Sequence, residues 1–105
     1  MTDFLIVITT VNTHEAARKL SRSAVEAGLA ASGQVTGPIE TTYRHFGEVA
    51  EGTEYQVTFR TAGERREALE KHLTDNHPYD SPEVIAFGID AGRAEYLKWI
   101  DRATR

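Results

Sequence analysis

Phe4-Leu5-Ile6-Val7-Ile8-Thr9-Thr10 is the stretch whose reading decides the fold. The run is short and β-branched, so it predicts a strand. Both alternating sets, Phe4/Ile6/Ile8 and Leu5/Val7, are apolar, which predicts a central strand covered on both faces. Reading outward, Asn12-Thr13-His14-Glu15 has the form of a capping box with Asn12 as the cap. Ala17, Leu20, Ala24 and Ala27 follow at helical spacing, and Gly28 supplies the stop. Leu29 to Tyr43 alternates as Leu29/Ala31/Gly33/Val35 and then Ile39/Thr41/Tyr43 around Gly37-Pro38, which predicts one long edge strand with a bulge.

His45-Phe46-Gly47-Glu48 reads as a hairpin turn. The strand returns through Val49, Tyr55, Val57 and Phe59, with Glu54, Gln56, Thr58 and Arg60 on its opposite, polar face. Gly63 to Asn76 predicts a helix with a thin apolar stripe at Leu69 and Leu73, halted by the restriction that Pro78 places on His77. Val84 to Ile89 is a fourth strand. After Gly92, the residues Tyr96, Trp99, Ile100 and Ala103 share one face of a terminal helix, a spacing that predicts core packing for its aromatics. The order βαββαβ plus a C-terminal helix implies an α+β, ferredoxin-like sandwich: an antiparallel sheet with two helices on one face. The uncovered apolar face implies burial by identical subunits.

A chain of 105 residues, 40% apolar, fits a single domain over residues 1–105. With 12 Lys+Arg against 16 Asp+Glu, the net charge of -4 offers no field for phosphate backbones or an anionic membrane surface, so neither nucleic acid nor membrane is expected as a partner. The absence of cysteine removes disulfides and thiolate chemistry. The stretch Met1–Ile8 has no basic leader and is too short for a membrane span, so a cytoplasmic protein is expected.

No glycine-rich phosphate loop or nucleophile elbow occurs, and no enzymatic activity is expected. Of the four histidines, His14 and His72 read as exposed helix residues, whereas His45 and His77 sit at a hairpin and a helix stop, where sites are built. His77-Pro78-Tyr79-Asp80-Ser81-Pro82-Glu83 combines two rigid prolines with an imidazole, a phenol and two carboxylates. It reads either as a recognition loop or as a turn whose Tyr79 packs over the core.

Several of these segments together resemble the CutA divalent-cation-tolerance family: Ala16-Ala17-Arg18-Lys19-Leu20, Gly28-Leu29-Ala30-Ala31, Tyr43-Arg44 with Gly47-Glu48-Val49, His77-Pro78-Tyr79 with Pro82-Glu83, and Tyr96-Leu97-Lys98-Trp99. The resemblance spans nearly the whole chain. It implies a homotrimer whose long hairpins pair between subunits, and a divalent metal ion, copper or zinc, bound at a cysteine near the end of strand one and a His-His pair. Those positions are Thr9 and Asn76-His77 here, which leaves His77 as the metal anchor, with Glu83 and His45 the next candidates. Where the family usually carries cysteine, asparagine, tryptophan and lysine, this chain has Ser32, Gln34, His45 and Arg60. Together with Tyr79 and Glu83 they form a candidate ligand cleft between subunits, suited to a small anion or zwitterion. A metabolite sensor resembling the trimeric PII proteins is the alternative, and a small ferredoxin-like enzyme the third.

Overall fold

Strand β1 (Phe4–Val11) lies inside a four-stranded sheet of order β2-β3-β1-β4 in a computed structural model that describes residues 3–105. Met1 and Thr2, part of the N-terminal stretch read above, lie outside the described residues. The chain continues through α1 (His14–Glu26), β2 (Ser32–His45), β3 (Glu48–Ala62), a single 3-10 turn, α2 (Arg66–Asn76), β4 (Val84–Gly88) and α3 (Ala94–Ala103). β1 runs antiparallel to β3, from Phe4 opposite Ala62 to Val11 opposite Tyr55, and antiparallel to β4, from Leu5 opposite Gly88 to Thr9 opposite Val84. This is the ferredoxin-like α+β arrangement that the sequence implies.

The period of two sorts β1 into two faces. Leu5, Val7, Thr9 and Val11 are buried under the helices, where they join Val57 and Phe59 of β3, Ala17, Leu20 and Ala24 of α1, and Leu69 and Leu73 of α2. Phe4, Ile6, Ile8 and Thr10 point to the other face, where they are only half-buried among the described residues. There Ile6 pairs with Phe87, and Ile8 with Ile85. Ile85 and Phe87 are 50% and 48% exposed, an apolar patch at the β1–β4 side of the sheet.

Helix α1 stops at a Schellman turn: Gly28 takes φ 73°, its N–H donates to the Val25 carbonyl and that of Leu29 to Ala24. The β2–β3 hairpin closes on Phe46 and Gly47, both at positive φ, which fits a two-residue type I′ turn between the paired His45 and Glu48. The β2–β3 register shifts between Thr36 and Ile39, at the Gly37-Pro38 interruption.

Three local expectations are corrected. The cap of α1 is Thr13, whose Oγ1 accepts from the Ala16 N–H at 3.1 Å, so Asn12 stands one residue outside the helix. Thr13 has the extended backbone a cap requires, with ψ 150°. On α3 only Ile100 is buried; Tyr96 and Trp99, their rings 5.5 Å apart, stay 40% and 38% exposed instead of packing into the core. His72 is half-buried, its Nε2 2.8 Å from the Ser23 hydroxyl, and so ties α2 to α1.

Thr13→Ala is expected to cost about 1 kcal/mol in urea denaturation, and Asn12→Ala no more than a few tenths. Equal losses would move the cap back to Asn12.

Candidate functional site

A cleft of about 840 Å³ lies between the far half of the β2–β3 hairpin, the loop from Tyr79 to Glu83, and the end of β1. Tyr43, His45 and Phe46 approach from one side of the hairpin and Gly52, Thr53 and Glu54 from the other; Tyr79, Asp80, Ser81 and Glu83 face them, with Thr10 and Asn12 between. Two hydrogen bonds join its walls. The Tyr79 hydroxyl donates to Glu54 Oε2 at 3.1 Å, and Thr10 Oγ1 donates to Glu83 Oε1 at 3.2 Å. Burial, then the bond to Glu54, pushes the Tyr79 phenol up to about 12, so it keeps its proton and its role as donor at neutral pH.

His77 anchors the loop. Its Nδ1 lies 3.1 Å from the Tyr79 backbone nitrogen and accepts that N–H, which assigns the ring proton to Nε2. Nε2 then donates to the Thr10 carbonyl at 2.9 Å, with Thr9 Oγ1 3.1 Å away. The ring also stands 4.9 Å from that of Tyr79. Pro78 forces the extended backbone at His77, with ψ 141°, that turns the chain from α2 toward the cleft.

The residues singled out from the sequence fall into two places. Tyr79, Glu83 and His45 line the cleft. Ser32, Gln34 and Arg60 lie elsewhere on the open face of the sheet, where Ser32 pairs with Arg60 across the ladder and Arg60 Nη1 donates to Gln34 Oε1 at 2.8 Å. The cleft lacks the arginine that an anion would need. His77 stands behind the cleft with Nε2 protonated and donating, and its one ligating lone pair, on Nδ1, taken by the Tyr79 N–H, so it offers no free donor to a metal in this arrangement. Asn76 turns away, donating to the His72 carbonyl, and Thr9 is fully buried. Among the described residues no three His, Cys, Asp or Glu side chains converge as a metal site. Glu54 and Tyr43 are cleft residues that the sequence reading did not single out. The sequence reads Glu54 on the polar face with Gln56, Thr58 and Arg60, and that shared parity is the signal that could have placed it in the site.

A split βαββαβ sheet with a cleft at the hairpin end defines a small ferredoxin-like α+β domain. Comparison with known proteins narrows this class. The family described as CutA1 divalent ion tolerance protein matches residues 5–103, and the chain belongs to that family. The chloroplastic protein CutA of Arabidopsis thaliana is 38% identical over 101 residues, covering 96% of this chain and 56% of that protein, so the chain spans a little over half of this relative. The divalent-cation tolerance protein CutA of Thermus thermophilus is 33% identical over 99 residues, covering 94% of this chain and 96% of that protein. The crystal structure of CutA1 from Oryza sativa superposes with a TM-score of 0.95 at 35% identity, covering 99% of this chain and 95% of that one. No helix among the described residues is long and apolar enough to cross a membrane.

Burial lowers the His77 pKa below its ordinary 6.5, outweighing the Thr10 carbonyl and the Glu54 charge, which raise it. The unfolded chain therefore binds more protons here than the folded one, and stability rises with pH through this window. The His77 contribution is expected to be complete above 6.5 and to be lost as pH falls below it toward the lower folded value. Urea midpoints of wild type and His77→Gln, measured between about pH 5 and 8, test this: the advantage of wild type should shrink on the acid side. A constant difference would show that His77 titrates alike in both states.

Proposed function

We propose that this chain acts in divalent-metal tolerance as a cytoplasmic homotrimer that takes up a small ligand or ion at clefts completed between its copies. One observation carries the assembly: the open sheet face bearing Ile6, Ile8, Ile85 and Phe87 is left partly exposed by the described residues, Ile85 and Phe87 by about half. Water contact with that many apolar groups is unfavourable by roughly 25 cal/mol per Å², so burial against further copies is the stable outcome. The names of the relatives, which speak of divalent-cation tolerance, support the physiological role. A copper or zinc site would draw its donors from more than one copy, since His77 is committed to the loop.

A sensor that binds a small molecule, in the manner of PII trimers, is favoured by the cleft itself. Its dimensions suit an organic molecule, and its side chains do not converge on a point.

Native mass spectrometry is expected to give three times the 11.7 kDa chain mass. Phe87→Glu, which places a charge in the apolar patch, should shift the population to monomer. A wild-type monomer would overturn the proposal, as would a Phe87→Glu variant that keeps the wild-type assembly. Calorimetric titration of the trimer with copper and zinc salts tests the metal arm, with micromolar uptake expected only if donors are shared between copies.

A further inference from the structure

We propose that the cleft between the hairpin and the Tyr79–Glu83 loop takes a flexible aliphatic amine carrying two or more separated positive charges. This names a ligand class for the small-ligand reading above and rests on that reading.

The cleft combines three features. It is large enough for an organic ligand, at about 840 Å³. Its walls carry the aromatic rings of Tyr43, Phe46 and Tyr79, whose faces attract cations. Its charged groups are Glu54, Asp80 and Glu83, with no lysine or arginine among the lining residues, and none of the three carboxylates is in an ion pair among the described residues. The ion pairs of the chain join neighbours along or beside the helices, outside the cleft.

Charge complementarity then selects the occupant. An anion would meet like charge on all sides, and Arg60, which would have attracted it, is bonded to Gln34 elsewhere on the sheet. A bare metal ion requires several donors within roughly 2.0–2.6 Å of one point, and no such group exists among the described residues. Glu54 is held by the Tyr79 hydroxyl and Glu83 by Thr10, so their charges are fixed apart on different walls. Positive charges spaced along an apolar tether satisfy carboxylates so arranged, with the methylenes lying against the rings.

The probe is spermidine, titrated calorimetrically into the full chain at low ionic strength. Glutarate and copper sulfate are titrated in parallel. One spermidine per chain is expected, weakening as salt is added. The double variant Glu54→Gln/Glu83→Gln should raise its Kd by about tenfold or more. So should Gly52→Leu: a Cβ at Gly52 meets only Tyr43 Cε1, at 3.8 Å, so the larger side chain enters the cleft with the strand undisturbed. Circular dichroism checks that both variants fold. Glu67→Gln, on the exposed face of α2, should leave the Kd unchanged and thereby separates cleft binding from general attraction to an acidic protein. Glutarate binding, absence of spermidine binding, or spermidine binding indifferent to Gly52→Leu and to the double variant would each overturn the proposal. Copper binding without spermidine binding would overturn it while leaving the cation-tolerance reading in place. A trimer that binds none of the three would remove both.

Discussion

The structure depends on a strand that is apolar on both faces but receives helices on only one. β1 lies between β3 and β4, so its backbone hydrogen bonds are satisfied on both sides and its register is fixed by two ladders. Leu5, Val7 and Val11 then anchor the core, while Ile6 and Ile8 are committed to the open face by the same pleat. No shift in register could bury both sets within one chain. The bare face is thus built into the fold, and the assembly proposed above is the response to it.

The cleft depends on the same strand at its far end. Thr10, on the open face, holds Glu83 through its hydroxyl, and its carbonyl accepts from His77. One residue therefore fixes both the start and the finish of the loop that forms one wall. Pro78 sets the backbone at His77, and His77 in turn sets Tyr79, through a backbone N–H and a ring contact, before Tyr79 reaches Glu54 on β3. The recognition surface is fixed by a chain of short contacts running from a buried strand outward.

Much of this was legible in the sequence, because apolar periodicity reports which face a residue takes. The order of elements, the bulge at Gly37-Pro38, the Phe46-Gly47 turn and the α2 stop at His77 all follow from local chemistry. Position along a strand was less legible. Ser32, Gln34, Gln56, Thr58 and Arg60 share a face, but Arg60 pairs with Ile6 and Gln56 with Thr10, which separates Arg60 from the cleft by about four strand residues, roughly 13 Å. Parity alone could not reveal that distance. The cap was misplaced because Asn12 and Thr13 both suit the position and only the backbone chooses between them. The exposure of Tyr96 and Trp99 was illegible for another reason: helical spacing says which residues face together and is silent on whether one chain supplies what they face.

The hairpin is much longer than the strands beside it, 14 and 15 residues against 8 in β1 and 5 in β4. β1 pairs with β3 only from Tyr55 onward, so residues 39–54 form a two-stranded ribbon without a lateral strand among the described residues. Such ribbons are marginal by themselves in water. One wall of the cleft therefore belongs to a weakly protected unit and the other to a loop pinned to the core, so amides on the two sides should exchange with solvent on different timescales. Whatever settles between them, a ligand or the edge of another copy, gains contacts with the ribbon and loses some of the ribbon's freedom. If copies assemble as proposed, any affinity of the cleft would thereby be coupled to how far that assembly had already stiffened the hairpin.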